Sequence, residues 1–339
     1  MRRRRGPPGP CPWRCSRCSP RSPRRVSPTR PRARVRLLPP ASGRDRLMRL
    51  LRSLFSAFLI LVPSAAVQGA DEFVPWGVSF GAVLALEASA PDRVETYGDI
   101  EVQRREFWLH EDGAARPLIV LVHGGCWLNA YDVEHARPLA AALREAGYVV
   151  MAPEYRRVGD AGGGWPGTPD DVLVAFAGLA GRAAELGFDP ARVAVVGHSA
   201  GGHLALLTGL DLAAADGLAP TLVVGLAAIT DPAAYALGDG SCNVATPQFF
   251  GGMPDALPEA YGRGSPLRRL DGGAPSPPVV LIQGDADPIV PPIQAAALAE
   301  ASDGVALELL PGAGHFDLIH PRSPAFVRLL AVLEQGLAP

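Results

Sequence analysis

From about residue 100 the chain alternates short, β-branched apolar runs with longer stretches of helical period, and that alternation leaves few folds open. "PLIVLVHGG", "GYVVMAPEY", "RVAVVGHS", "TLVVGLAAIT", "PPVVLIQGD" and "VALELLPG" are apolar on both sides rather than on alternate residues, as strands covered on both faces must be. "VQRREFWLH" is more polar and suits an edge strand. Between them "VEHARPLAAALREAG", "TPDDVLVAFAGLAGRAAELG", "GGHLALLTGLDLA" and "PPIQAAALAEAS" read as helices, and "SPAFVRLLAVLEQGL" closes the chain. The expected architecture is α/β, a mostly parallel central sheet with helices on both faces. One stretch breaks the rhythm. Residues 231–275 are rich in Gly and Pro and predict short helical patches at most, in a cap-like insertion that covers a pocket at the strand ends.

The chemistry sits in the turns. Ser199 is the centre of Gly197-His198-Ser199-Ala200-Gly201, directly after one apolar run and directly before a helical one. A sharp strand-to-helix turn presents such a serine at a helix N-terminus, where free N–H groups favour developing negative charge. A nucleophilic serine needs a base and an orienting acid. "LLPGAGHFDLIHP" supplies His315 in a glycine-rich loop after the last strand, and "LIQGDADPIVPP" supplies Asp285 and Asp287 after the strand before it. His315 is preferred over His320 because it follows the glycine loop directly. Of the two aspartates, one is the acid and the other caps the turn. "VHGGCW", again straight after a strand, offers N–H groups around Gly124, Gly125 and Cys126 that can join that of Ala200 as an oxyanion hole. Trp127 is the candidate substrate contact, while Trp165 and Phe249 either line the pocket or pack. Asp170 and Asp171 read as helix-capping residues and His203 as structural. No cluster with metal-ligand spacing is convincing, and this chemistry needs neither metal nor other cofactor.

The N-terminal part belongs to a different regime. Residues 1–47 hold 15 of the 32 basic residues and, in Asp45, one of the 34 acidic ones, in a Pro- and Ser-rich stretch expected to be disordered. Every basic residue in the chain is arginine, which reads as coding bias rather than a nucleic-acid surface. From Met48 onward 17 basic face 33 acidic residues, an acidic balance that argues against polyanionic partners, nucleic acid included. Residues 48–69 carry a basic start, an apolar stretch from Leu54 to Val62 and small residues after Pro63. That is the layout of a signal peptide cleaved after Ala66 or Gly69, too short for a permanent membrane span. The expectation is an exported, periplasmic or secreted, protein whose true start is Met48, with residues 70–339 as its one domain. A peptide from the arginine-rich stretch in the unprocessed protein would refute that start. Cys11, Cys15 and Cys18 lie in the same stretch, and their C-x3-C-x2-C spacing lacks the context of an iron–sulfur site. Cys126 and Cys242 are able to pair in an oxidising compartment, but spacing does not say whether they meet. Oligomeric state is not legible.

"HGGCW", "PEYRR", "GHSAGGH", "GDADPIVP" and "GAGHFDLIHP", in this order, make residues from about 100 to 335 resemble an α/β-hydrolase. Within that fold the chain is similar to the branch of hormone-sensitive-lipase-type esterases, arylformamidases and secreted carbohydrate or feruloyl esterases. The resemblance implies a Ser199 nucleophile, a His315 base, Asp287 rather than Asp285 as the orienting acid, and an oxyanion hole near Gly124, Gly125, Cys126 and Ala200. Cysteine stands where the lipase-type pattern has a third glycine, and the tryptophan after it resembles a formamidase-like H-G-G-x-W. The implied function is a serine carboxylesterase acting on a small ester or acylated sugar. Arylformamidase activity is the alternative reading, against which the export signal weighs, and an inactive binding module on the same fold is a third, against which the intact triad weighs.

Overall fold

A computed structural model describes residues 73–214 and 217–339, all within one compact unit that spans residues 66–339. The arginine-rich segment, the signal-peptide segment and Cys11, Cys15 and Cys18 lie outside the described residues. These residues build one eight-stranded sheet from β1 (Arg93–Thr96), β2 (Arg104–Trp108), β3 (Arg116–Val122), β4 (Val149–Pro153), β5 (Phe188–His198), β6 (Leu222–Leu226), β7 (Val279–Gly284) and β8 (Val305–Leu310). The spatial order is β1-β2-β4-β3-β5-β6-β7-β8, with β2 antiparallel to both neighbours and all other pairs parallel. The apolar runs that predicted covered strands behave accordingly. Every residue of β4 and of β6 is buried, as is the centre of β3 and the second half of β5.

From β3 the chain steps outward to β4, then returns past β3 to β5 and continues in the opposite direction. Right-handed crossovers therefore set the helix at Arg137–Glu145, between β3 and β4, on one face. They set the helices at Gly167–Ala175, Ala200–Ala213 and Ile293–Ala301 on the other. The reversal makes the C-terminal ends of β3 and β5 a topological switch point, where open parallel sheets bind their ligands. The residues after β3, β4, β5, β7 and β8 all emerge at that end, and they include every candidate catalytic side chain.

Two departures from the sequence reading have physical causes. The edge strand β1 went unpredicted because it is four residues long, polar, and only half-buried on alternate residues with the others exposed, and its presence puts β2, expected at the edge, one place inside the sheet. The helix predicted over 168–187 breaks after Ala175, where Gly178 takes φ +75°, and resumes only as short turns that end at left-handed Gly187. The insertion 231–275 holds four short helices, at Pro232–Ala236, Ala245–Phe250, Pro258–Arg263 and Pro266–Asp271. Proline in the first turn of three of them supplies helical φ without losing a needed N–H donor. No helix among the described residues is long and apolar enough to cross a membrane.

Candidate active site

Ser199 joins β5 to the helix Ala200–Ala213 with φ 57° and ψ −121°, a conformation that costs an L-residue on the order of 1–3 kcal/mol. The turn is held shut around it. The Ser199 N–H donates to the Leu226 carbonyl at 2.8 Å, and the Ser199 carbonyl accepts from His203 N–H at 3.1 Å. A Cβ on Gly201 would fall 2.1 Å from the His123 carbonyl oxygen, and one on Gly197 2.1 Å from that of Gly201, so side chains at either glycine are excluded by backbone. What remains uncommitted is the Ser199 side chain, which faces a cavity of about 360 Å³.

His315 lines the same cavity from the loop after β8. Its Nδ1 lies 2.7 Å from Asp287 Oδ2, both side chains being buried. The other carboxylate oxygen accepts the N–H groups of Ile289 at 2.8 Å and Val290 at 3.0 Å, which fixes the carboxylate plane. Asp285 serves elsewhere, accepting the Gly312 N–H at 2.6 Å and bracing the turn. His320 accepts from Arg322 N–H and is absent from the cavity wall. Among the described residues no hydrogen bond joins Ser199 Oγ to His315, a contact that is commonly long until substrate engages.

Gly125 and Cys126 form the facing wall. Gly125 has φ +109°, and a Cβ there would lie 2.4 Å from Tyr131 Cβ. Cys126 and Trp127 follow with φ 52° and 58°, so the whole turn runs through left-handed space. The N–H groups of Gly125, Cys126 and Ala200 donate to no protein acceptor among the described residues. Gly124 and Ala200 are not part of the cavity wall. Gly124 packs on the elbow, where a Cβ would meet the His198 carbonyl at 2.9 Å, and Ala200 is fully buried behind Ser199.

Trp127 requires a correction. Instead of lining the cavity it is fully buried, stacked on Phe249 with centroids 4.9 Å apart and edge-on to His203 at 5.4 Å. Its positive φ turns the indole away from the cavity and into the core. Asp171 is likewise no cap: it is buried and binds Arg156 through both oxygens, at 2.8 and 2.6 Å.

Three residues that the sequence reading passed over hold the site in place. Glu154, in "PEYRR", is wholly buried and accepts from His123 Nε2 at 3.0 Å and from the Val133 N–H at 2.9 Å, with Arg157 3.1 Å away. Burial raises its pKa, but His123 and Arg157 outweigh that and hold the carboxyl down at about 2. Glu154 thereby anchors His123, the first residue of the turn after β3. His198 donates from Nε2 to the His315 carbonyl at 3.1 Å, and burial with neighbouring His315 pushes its pKa well below the ordinary value. His135 joins the cavity wall, and burial first, then His123, lowers it to about 3, so it stands there as a neutral imidazole. A buried charge straight after the apolar strand β4 was the available signal for Glu154. None marked the two histidines.

The insertion closes the remaining side. Ser241, Cys242, Val244 and Ala245 line the cavity, and a disulfide joins Cys242 to Cys126 with Cα atoms 5.5 Å apart. The turn after β3 and the insertion are thus one covalent unit. Among the described residues no cluster of three or more His, Cys, Asp or Glu side chains is arranged to hold a metal ion.

A family model described as BD-FAE matches residues 107–301. The chain belongs to the BD-FAE family. It is 29% identical over 247 residues to Esterase LipC of Mycobacterium tuberculosis, a match covering 66% of this chain and 59% of that protein. Ethyl acetate hydrolase of Pseudomonas putida is 30% identical over 231 residues, 64% of this chain and 68% of that one. The chain spans 59%, 21% and 54% of the lengths of LipC, the probable carboxylic ester hydrolase LipM and Esterase LipQ, all of Mycobacterium tuberculosis. Among solved structures, esterase B from Lactobacillus Rhamnosis superposes with a TM-score of 0.65 at 22% identity, covering 76% of this chain and 89% of that one. A truncated carbohydrate esterase from gut microbiota gives 0.63 at 21%, covering 74% and 100%. The α/β-hydrolase fold expected from the sequence is the fold observed.

Proposed function

We propose that this member of the BD-FAE family is an exported serine carboxylesterase working through an acyl-enzyme. The observation that carries the reading is a buried His315–Asp287 pair, 2.7 Å apart, opening into the same cavity as a serine held in a strained elbow. In this reading His315 Nε2 takes the Ser199 proton as Oγ attacks the ester carbonyl. The tetrahedral oxygen accepts from the N–H groups of Gly125, Cys126 and Ala200. Asp287 keeps the proton of His315 on Nδ1 and stabilises the imidazolium. The imidazolium then gives its proton to the departing alkoxide, and a water molecule repeats the sequence on the acyl-enzyme.

The substrate is a small ester or an acylated sugar. A cavity of about 360 Å³ walled by Phe80, Leu128, Val244, Ile289 and Phe316 suits a short acyl chain or a compact alcohol better than a long lipid. The names of the curated relatives support ester hydrolysis over formamide hydrolysis. Export is supported by the signal-like residues 48–69 and by the Cys126–Cys242 disulfide, a bond that persists in oxidising compartments. A panel of p-nitrophenyl acetate, acetylated xylan, methyl ferulate and N-formylkynurenine, on protein expressed from Met48, tests the reading. Turnover of esters above the formamide is expected; preference for the formamide would overturn it.

A further inference from the structure

Phe80 belongs to the cavity wall, although the segment that carries it precedes the first strand. Its ring packs on Phe316 at 5.3 Å, Tyr131 at 5.6 Å and His135 at 5.6 Å. Something must hold an N-terminal segment against a loop 240 residues away, and one side chain does so. Asp317, fully buried, receives the Gly77 and Val78 N–H groups on Oδ1 at 3.2 and 3.0 Å. Its Oδ2 receives Gly77 again at 3.0 Å and Gly314, the residue before His315, at 2.6 Å. The Val74 N–H reaches the Arg322 carbonyl at 3.0 Å along the same seam.

Asp317 forms no ion pair among the described residues, so backbone donors alone compensate its burial. A buried carboxylate with no cation is an expensive staple, and packing alone would be served by an apolar side chain. What the carboxylate does that an apolar residue cannot is join two backbone segments at once, one oxygen on the N-terminal segment and the other bridging it to the His315 loop. We propose that Asp317 is a positioning residue: it registers residues 73–84 against the loop of the general base, so that Phe80 completes the substrate wall when His315 is in place. The proposal rests on the esterase reading for its kinetic consequences, but not for its structural ones.

Asparagine at 317 preserves volume but keeps one acceptor oxygen in place of two: with the oxygen at Oδ1 the Gly314 N–H is lost, and with it at Oδ2 the Val78 N–H faces an NH2, so Asp317→Asn should fold with the seam weakened on one side. In the full chain we expect faster amide exchange in residues 73–84 or 312–318, a KM for p-nitrophenyl butyrate raised about tenfold, and a lower kcat. Phe80→Ala alone should also raise KM, yet add less than about twofold on the Asp317→Asn background, because the ring it removes is already displaced. If Asp317→Asn lowers only the melting temperature, with kcat, KM and exchange as in the parent, or if the two substitutions multiply, the proposal is wrong. If the parent turns over no ester, the functional reading fails and exchange alone decides the clamp: unchanged protection in Asp317→Asn overturns it, and local loss supports it.

Discussion

Replacing Asp287 by asparagine changes one atom of the site and, by the geometry here, reverses the chemistry of His315. The carboxylate oxygen that accepts from Ile289 and Val290 N–H, at 2.8 and 3.0 Å, must remain an oxygen, since an amide NH2 there would confront two donors. The NH2 is thereby forced to the position of Oδ2, 2.7 Å from His315 Nδ1, and donates to it. His315 then carries its proton on Nε2, facing the serine it should deprotonate. A wrong tautomer costs about 10⁴ in kcat, about 5.4 kcal/mol of barrier. The fold should lose only about 1–2 kcal/mol, because the Ile289, Val290 and His315 contacts survive and the one bond lost, from Gln283 Nε2 at 3.3 Å, leaves that amide its Gly284 and Val290 carbonyl acceptors. Initial rates on p-nitrophenyl acetate, with a melting curve on the same sample, check both halves. A folded Asp287→Asn enzyme within about tenfold of the parent kcat would refute the assignment of Asp287 and the tautomer argument together.

Two further outcomes follow from the same geometry. Cys242→Ser frees the insertion from the turn after β3 across a separation of 116 residues; we expect a loss of about 2–5 kcal/mol, read as a fall of roughly 5–15 °C in Tm, with a raised KM, and unchanged Tm and KM would contradict it. Acid should also destabilise the protein early. Burial holds His135 at about 3 and His203 at about 4 against an ordinary 6.5, so below pH 6.5 the unfolded chain takes up protons that the folded chain refuses. Their stabilisation is complete above pH 6.5 and is lost as pH falls toward those values, and that of Glu154, held at about 2, goes last, below the ordinary 4.5. Each histidine contributes about 1.4 kcal/mol per pH unit, so Tm should drop on the order of 5–10 °C between pH 6.5 and 5, and a flat profile would count against these burials.

The sheet and the turns that carry Ser199, Asp287 and His315 were legible because they are local. Continuous apolar runs announced covered strands, and Ser199, Asp287 and His315 each sit within a few residues of a strand end. What the sequence hid is what distant segments do to one another. Trp127 looked like a substrate contact from its place after "HGGC", but its direction depends on the left-handed backbone at Cys126 and Trp127 and on Phe249, more than a hundred residues on. Glu154 was quoted only as part of a motif, and its task appears when β4 lies beside β3 and brings it to His123. Asp317 carried no pattern at all, since its partners are backbone N–H groups at both ends of the described chain. The helix drawn through 168–187 failed for a local reason, the left-handed turn at Gly178, that an amphipathic pattern does not encode.

The central claim is that Ser199 is the nucleophile. The most direct test is to treat the protein, expressed from Met48, with a fluorophosphonate and locate the adduct by peptide mass spectrometry, with Ser199→Ala beside it. One adduct is expected, on the peptide containing Ser199, with a folded Ser199→Ala protein that neither labels nor turns over esters. An adduct on another residue, or a pure Ser199→Ala enzyme that retains substantial ester turnover, would contradict it.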